Sequence, residues 1–160
     1  MPDLKITPCL WYDRQAEEAA TLYTSVFPNS AIDRITRFPD VGQEIHGGAA
    51  GSVMPVEFHL NGKPFTALNG GPLFKFSEAV SFQVFCADQQ ELDHYWNALG
   101  EGGDPAARQC GWLKDRFGLS WQIVPEPMER WMAASPEAVM GVMLEMKKLD
   151  FAAREKASRR

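Results

Sequence analysis

The chain has 160 residues, of which 45% are hydrophobic and 23% are charged; this composition indicates one globular domain, or two small modules sharing a core, rather than disorder. Its formal net charge of −5 argues against nucleic acid as a partner, because phosphate binding requires concentrated lysine and arginine. No run approaches the roughly 18 apolar residues that cross a bilayer, and no signal peptide is recognisable. The three cysteines lie in apolar surroundings, which indicates buried thiols. We therefore expect a cytoplasmic protein without membrane contact.

The first part of the chain predicts a strand, a helix, a second strand and a loop. Residues 5–12 form a short apolar run, which indicates a strand. Asp13 is the predicted N-cap of a helix that ends at Pro28-Asn29, because proline cannot continue the helical hydrogen bonds. Residues 31–38 are rich in β-forming residues and predict the second strand. Residues 39–51 are rich in glycine and are interpreted as a mobile loop.

A β-hairpin is predicted next. Residues 52–60 alternate between apolar and polar positions, with Glu57 and His59 on the polar side. Asn61-Gly62 is a strong signal for a two-residue hairpin turn, because both residues tolerate positive φ angles. Residues 63–69 are therefore expected to form the partner strand.

The second part of the chain repeats this order. Residues 80–87 predict a strand, and Asp88 is the predicted N-cap of a helix that runs to about residue 99. Short strands are expected around residues 108–114, followed by a turn at 115–118 that Asp115 serves. Residues 119–124 close the repeat as its last strand.

The C-terminal part has a different pattern. Residues 128–134 predict one helix, and Pro136 begins a second helix whose apolar positions continue to Leu149. The basic run at residues 154–160 is interpreted as a solvated helix end.

These elements predict an α+β fold. Each half has one helix for about four strands, which disfavours a doubly wound parallel sheet. Pairing the halves gives a curved, mixed sheet of eight strands with helices outside it, plus C-terminal helices.

Three segments of the sequence resemble the PhnB-like (demethylubiquinone methyltransferase-like) branch of the vicinal oxygen chelate superfamily, which includes glyoxalases, dioxygenases and bleomycin-resistance proteins. They are AEEAATLYTSVFPNS, FTALNGGPLFKFSEAVSFQVFC and GWLKDRFGLSWQIVP. The resemblance implies two βαβββ modules that form a cup, and a homodimer. It gives a glyoxalase-like domain at residues 1–126, with module one at 5–71 and module two at 78–126, and a helical extension at 127–160.

Active members of the superfamily commonly hold a divalent metal ion with His, Gln or Glu side chains on the first and last strands of each module. At the matching positions, residues 6–9 offer no histidine or carboxylate, and the strand at 65–69 offers only Thr66 and Asn69. On the first strand of module two, Phe82 occupies the matching position. On the last strand of that module, Gln122 stands where a glutamate would bind the ion. A neutral amide alone does not hold a transition metal. We therefore expect no metal and no other cofactor, although a divalent ion remains an alternative.

Strand alternation predicts which polar side chains meet inside the cup. Glu57 and His59 share one face and are the candidate acid–base residues. The family alignment points Phe82 inward, whereas the alternation of polar and apolar residues points Gln83 inward, and the sequence leaves both open. The predicted ligand-binding residues are Trp11, His59, Asn69, Gln83, Trp112 and Gln122.

Three functions remain open. The first is a metal-free cup that binds a small organic molecule. The second is a metal-dependent or acid–base enzyme with glyoxalase, dioxygenase or methyltransferase chemistry, and the third is a dimeric interaction protein.

A methyltransferase commonly has a glycine-rich turn between a strand and a helix, which cradles its cofactor. The glycine pairs of this sequence do not stand in such a predicted turn and are interpreted as loop hinges or turns; they are Gly47-Gly48, Gly70-Gly71 and Gly102-Gly103. Cys110 would be a reactive thiol if a cation such as Lys114 lay beside it. The sequence does not identify the ligand or the reaction.

Overall fold

The computed structural model describes residues 4–39, 41 and 52–159. Most of the predicted loop at 39–51, including His46 and Gly47-Gly48, lies outside these residues. The chain forms two compact units that divide between Lys75 and Phe76. Within the described residues, no helix is both long enough and apolar enough to span a bilayer.

The first unit is a four-stranded mixed sheet with one helix. Its sheet order is β1-β4-β3-β2, in which β1 runs parallel to β4 and the other neighbours are antiparallel. The elements in chain order are β1 (Cys9–Tyr12), α1 (Ala16–Val26), β2 (Ala31–Arg37), β3 (Val53–Leu60) and β4 (Lys63–Asn69).

The core of the first unit lies between α1 and one face of the sheet. Alternate residues of β3, such as Val56 and Phe58, are buried, and the Phe58 ring lies 6.3 Å from the ring of Tyr23 on α1. The predicted hairpin is confirmed, because Asn61 and Gly62 adopt positive φ angles of 47° and 77° between β3 and β4.

The start of α1 differs from the sequence prediction. Asp13 is not its N-cap; Gln15 occupies that position and makes no side-chain capping hydrogen bond. Instead, Oδ1 of Asn69 accepts a hydrogen bond from the backbone N–H of Ala16 at 2.9 Å, and its Nδ2 donates to the carbonyl of Val53 at 3.0 Å. A side chain from β4 therefore satisfies the helix end that a local residue was expected to cap.

The second unit contains a three-stranded sheet with the order β5-β7-β6, in which β5 and β7 are parallel. Its elements are β5 (Ser81–Cys86), α2 (Gln89–Gly100), a 3₁₀ helix (Pro105–Ala107), β6 (Trp112–Lys114) and β7 (Ser120–Pro125). Where the sequence predicts a further short strand near residue 108, the structure has only an isolated bridge between Gln109 and Trp112. The described residues thus contain seven strands in two sheets rather than the eight predicted, and the α+β class is confirmed.

Helix α2 begins as predicted at Asp88. Its carboxylate accepts a hydrogen bond from the backbone N–H of Glu91 at 2.8 Å, and the Glu91 carboxylate accepts from the N–H of Ala87 at 2.6 Å. This reciprocal arrangement satisfies backbone donors that the first helical turn leaves free. The helix buries Leu92, Tyr95, Trp96 and Leu99.

The turn between β6 and β7 is built around a buried carboxylate. Asp115 is 2% exposed and accepts hydrogen bonds from the backbone N–H groups of Phe117 and Leu119 and from Nε1 of Trp121, at 2.9, 3.1 and 2.9 Å. The predicted role of Asp115 in this turn is confirmed.

Three helices follow, namely α3 (Met128–Ala134), α4 (Pro136–Leu144) and α5 (Phe151–Ser158). The predicted continuation of the second helix to Leu149 is wrong. Leu149 is fully buried outside any helix, where a Cβ added to Gly111 would lie 2.7 Å from its Cδ1 atom. The solvated interpretation of residues 154–160 is also wrong for Arg154, which is fully buried.

Candidate functional site

The sheet of the first unit has a face that turns away from α1, which we call the open face. Val56 and Phe58 of β3 point toward α1, so Glu57 and His59 lie on the opposite side of the strand. Thr66 of β4 pairs with Glu57 and shares this face. The two candidate acid–base residues predicted from the sequence therefore do share one face.

A β-bulge in β2 places two successive residues, Asp33 and Arg34, on the open face. The register between β2 and β3 shifts between Ile32 and Arg34, so that Asp33 is an extra residue on β2. Both carboxylate oxygens of Asp33 lie within hydrogen-bonding distance of Nδ1 of His59, at 2.9 and 3.0 Å. The His59 side chain is 29% exposed. A carboxylate at Nδ1 orients an imidazole ring and leaves Nε2 to act as acceptor.

Arg34 forms an ion pair with Glu57 beside this pair. The Arg34 guanidinium Nε donates a hydrogen bond to Oε2 of Glu57, and this bond raises the pKa of Arg34. Both side chains are partly exposed to solvent, so the ion pair itself adds little to stability. Asp33, Arg34, Glu57 and His59 form what we call the polar cluster.

A cavity of about 700 Å³ lies along the polar cluster, within the first unit. Its walls combine apolar and ionisable groups, and Asp33, Arg34, Glu57 and Thr66 contribute to its polar part. The remaining lining residues are Leu4, Lys5, Ile6, Thr7, Phe58, Pro64 and Phe65. His59 is not among them, but it is bonded to Asp33 and pairs across the strands with Pro64.

Trp11, one of the predicted ligand-binding residues, holds a neighbouring loop. Its indole Nε1 donates a hydrogen bond to the carbonyl of Gly71 at 2.9 Å, and its ring lies edge-on to Phe74 with centroids 4.9 Å apart. A Cβ atom on Gly70 would overlap the Trp11 ring, so only glycine fits there. Trp11 therefore positions residues 70–74.

The placement of Asn69 with the polar residues of the cup is wrong. Asn69 has the same parity on β4 as the buried Ala67, and its amide is bonded to Ala16 at the start of α1. It lies on the helix side of the sheet and away from the polar cluster. Both ends of its amide are used in holding the backbone.

In the second unit, three of the predicted residues share a face. Gln83 pairs with Gln122 across β5 and β7, and Trp112 pairs with Gln122 across β6 and β7. Phe82 pairs instead with the buried Trp121, 5.6 Å away between ring centroids. Of the two registers that the sequence left open, the structure thus has Gln83 rather than Phe82 on the face of Gln122.

The face of Gln122 is polar but carries few charges. Nε2 of Gln122 donates a hydrogen bond to Oγ of Ser81 at 2.8 Å. A cavity of about 630 Å³ on this unit is lined by amide, hydroxyl and apolar groups, which belong to residues 79–83, Phe85 and Gln122.

The described residues do not fit a divalent metal site. Across residues 4–39, 41 and 52–159, no three His, Cys, Asp or Glu side chains come together as metal ligands. His59 is engaged with Asp33, and His94 lies on α2 beside Tyr95, with ring centroids 5.0 Å apart. We therefore derive no chemical step through a metal ion.

Lys114, the cation that the sequence offered for activating Cys110, is engaged elsewhere. Lys114 lies 2.6 Å from the carboxylate of Glu78, and the Cys110 thiol contacts the carbonyl of Met143 at 3.4 Å. Burial raises the pKa of Cys86 to about 12 and also raises the pKa of Cys9. A raised pKa reduces the thiolate fraction and hence thiol reactivity.

Two members of the polar cluster, Asp33 and Arg34, were not predicted as site residues from the sequence. The opposite charges of Arg34 and Glu57 were a usable signal, because antiparallel strands place such pairs opposite each other. The bulge at Asp33 had no such signal, since the segment reads as an uninterrupted strand.

Mixed sheets with a helix on one face and an open, polar face on the other are characteristic of the glyoxalase and bleomycin-resistance fold of the vicinal oxygen chelate superfamily. The family model described as 3-demethylubiquinone-9 3-methyltransferase matches residues 4–124, and the chain belongs to this PhnB-like family. No curated protein matches it.

Solved structures support this assignment. A putative 3-demethylubiquinone-9 3-methyltransferase, PhnB protein, from Bacillus cereus is 33% identical, with a TM-score of 0.65 over 76% of this chain and 99% of that one. Protein PA1353 from Pseudomonas aeruginosa (21% identity, TM-score 0.61, 78% and 98% covered) is similar in fold. The fosfomycin resistance protein FosX from Mesorhizobium loti (15% identity, TM-score 0.56, 83% and 99% covered) is also similar in fold.

Proposed function

We propose that the chain binds a small organic molecule at the open face of the first unit, without a metal ion. The observation that carries this proposal is the cavity of about 700 Å³ that combines apolar walls with the polar cluster. Small-molecule sites are typically concave, mostly apolar, and supplied with a few convergent polar groups.

The lining residues define the kind of ligand. Lys5 and Arg34 offer hydrogen-bond donors with positive charge, whereas Asp33 and Glu57 offer acceptors. Apolar side chains such as Leu4 and Ile6 suit a hydrocarbon body. A ligand with an apolar body and one or more oxygen groups matches both sets.

Binding is tested with a variant that fills the cavity. Thr66 lies on the open face, so Thr66→Trp places a large ring there. Thr21→Trp, on the exposed side of α1, is the matched control. Isothermal titration with a panel of hydroxy acids, keto acids, phenols and quinones should give at least one ligand that binds wild type and Thr21→Trp but not Thr66→Trp. Equal binding to all three proteins contradicts the proposal.

Acid–base catalysis is a second candidate, supported by the hydrogen bonds between His59 and Asp33. An imidazole that a carboxylate orients can accept a proton from a bound carbon or oxygen acid. Proton NMR in D₂O of a bound carbonyl compound measures deuterium exchange next to the carbonyl group. Exchange that His59→Gln abolishes and Asp33→Asn slows supports this function, whereas equal exchange in all three proteins contradicts it.

Methyl transfer, which the family description names, has less support from this chain. Gly70-Gly71 follow β4 but precede no helix before Gln89, and Gly102-Gly103 precede only a short 3₁₀ helix. The described residues thus offer no glycine-rich turn from strand to helix that would cradle S-adenosylmethionine. Titration with S-adenosylmethionine tests this directly, and micromolar binding would favour methyl transfer.

A further inference from the structure

The C-terminal helices enclose a buried arginine. Arg154 on α5 is 0% exposed, and its Nε and Nη2 atoms have no hydrogen-bond partner among the described residues. Burial lowers the pKa of Arg154 to about 10, while the neighbouring Cys110 and Asp150 raise it. The guanidinium is therefore charged at neutral pH.

No carboxylate compensates this charge by direct contact. Among residues 4–39, 41 and 52–159, no acidic oxygen lies within 4 Å of the guanidinium. Asp150, the N-cap of α5, uses Oδ1 to accept a hydrogen bond from the N–H of Ala153 at 2.7 Å. A buried cation with unused donors costs free energy until an acceptor reaches it.

The group that does contact the guanidinium is a thioether. Nη1 of Arg154 lies 2.7 Å from the Sδ atom of Met128 on α3. Thioether sulfur is a weak acceptor, so this contact compensates the charge poorly. Met128 is half-buried, so part of the residue reaches solvent, and it packs against the apolar cluster of Trp131, Val139 and Ala157.

We propose that Met128 is a site of oxidation, whose sulfoxide oxygen accepts a hydrogen bond from the buried guanidinium of Arg154. The oxidant is a hydroperoxide. The sulfur lone pair attacks one peroxide oxygen, the S–O bond forms, and the O–O bond breaks. The leaving oxygen takes a proton and departs as water or an alcohol. Sulfur loses two electrons, and the peroxide gains them.

We expect oxidation of Met128 to stabilise the fold, whereas oxidation of a buried methionine usually destabilises it. Oxidation of a methionine in a core makes an apolar side chain polar and destabilises the fold. At Met128 the new oxygen meets a charged donor, and hydrogen bonds with an ionised partner are about twice as strong as neutral ones. Oxidation of Met128 therefore stabilises the C-terminal helices.

Met132 provides a matched control. It is also half-buried, lies on the same helix and packs against the same apolar cluster, but among the described residues the thioether that the Arg154 guanidinium contacts is that of Met128. Glutamine carries its carbonyl oxygen at the same distance along the side chain as methionine sulfoxide, so Met128→Gln and Met132→Gln imitate the two oxidised states.

The test compares these variants in the full chain, with Arg154 and with Arg154→Met. Met128→Gln should raise the melting temperature by about 3 °C when Arg154 is present and lower it in Arg154→Met, while Met132→Gln lowers it in both. Equal effects of Met128→Gln in the two backgrounds overturn the proposal.

Oxidation of the wild-type chain gives an independent measurement. After limited treatment with hydrogen peroxide, peptide mass spectrometry identifies the oxidised methionines, and molecules oxidised at Met128 should unfold at a higher temperature than untreated protein. A lower unfolding temperature, or no oxidation of Met128 when the more exposed Met140 is oxidised, overturns the proposal.

Discussion

Nδ1 of His59 lies 2.9 Å and 3.0 Å from the two carboxylate oxygens of Asp33, which precedes it by 26 positions in the chain. The contact exists because Ala31 pairs with His59 and Asp33, two residues further along β2, lies on the same face of the sheet. It supplies the orienting group that an acid–base histidine requires, from a position that the sequence pattern did not indicate.

Asp33 should fix the tautomer of His59. With a carboxylate at Nδ1, neutral His59 should carry its proton on Nδ1 and leave Nε2 as an acceptor. Long-range ¹H–¹⁵N NMR spectra of the ring measure this directly. We expect one tautomer in wild type and a mixture in Asp33→Ala. The same mixture in both proteins would show that the carboxylate does not orient the ring.

Asn69→Ala should destabilise the first unit. The change removes the acceptor for the N–H of Ala16 and the donor to the carbonyl of Val53, so we expect a loss of about 2 kcal/mol in the free energy of unfolding. Urea unfolding measures the loss. The control is Asn97→Ala, because Asn97 is exposed on α2, and its effect should stay within about 0.5 kcal/mol. Equal effects of both changes would contradict the capping role.

Asp115→Ala should lower the free energy of unfolding strongly, because it removes the carboxylate that holds the turn between β6 and β7. It leaves two backbone donors and the indole N–H of Trp121 without their carboxylate, and we expect a loss of about 3 kcal/mol. Asp13→Ala is the control, since Asp13 is exposed and does not cap α1, and it should have little effect. Chemical denaturation followed by tryptophan fluorescence separates the outcomes, and a loss below about 1 kcal/mol for Asp115→Ala would contradict the account.

Arg154 should make stability rise with pH in alkaline solution. Burial lowers its pKa to about 10 in the folded chain, well below its value in the unfolded chain, so above about pH 10 the unfolded state binds more protons and the free energy of unfolding increases as pH rises. Relative to Arg154→Met, wild type should gain about 1 kcal/mol from about pH 8.5 to about pH 11.

The control for this pH dependence is Arg130→Met, which removes an exposed arginine from α3. The difference in unfolding free energy between wild type and Arg130→Met should not change over the same range. A constant difference between wild type and Arg154→Met would mean that burial does not lower the pKa of Arg154.

Local signals predicted much of the fold. The alternation in β3, the Asn61-Gly62 turn and the capping carboxylate of Asp88 each act over a few residues, and each prediction is confirmed. The end of α4 at Leu144 was missed because apolar residues continue at helical spacing to Leu149, which is buried without being helical.

The candidate site was less predictable because it depends on contacts between distant residues. Asn69 was assigned to the polar face from its residue type, but its parity on β4 puts it on the side of α1. Arg34 was missed because the single bulge before it reverses the face of a side chain without leaving a mark in the pattern. Alternation alone put Gln83 on the face of Gln122, and the strand pairing agrees, whereas the family alignment favoured Phe82.

The most direct test of ligand binding at the open face is a titration of the ¹⁵N-labelled full chain with small oxygen-bearing organic molecules, followed by amide chemical shifts. The account predicts that a bound molecule shifts the amides of Asp33, Arg34, Glu57 and Thr66, and that the shifts disappear in Thr66→Trp. Ligands that bind but leave these four amides unchanged would contradict it.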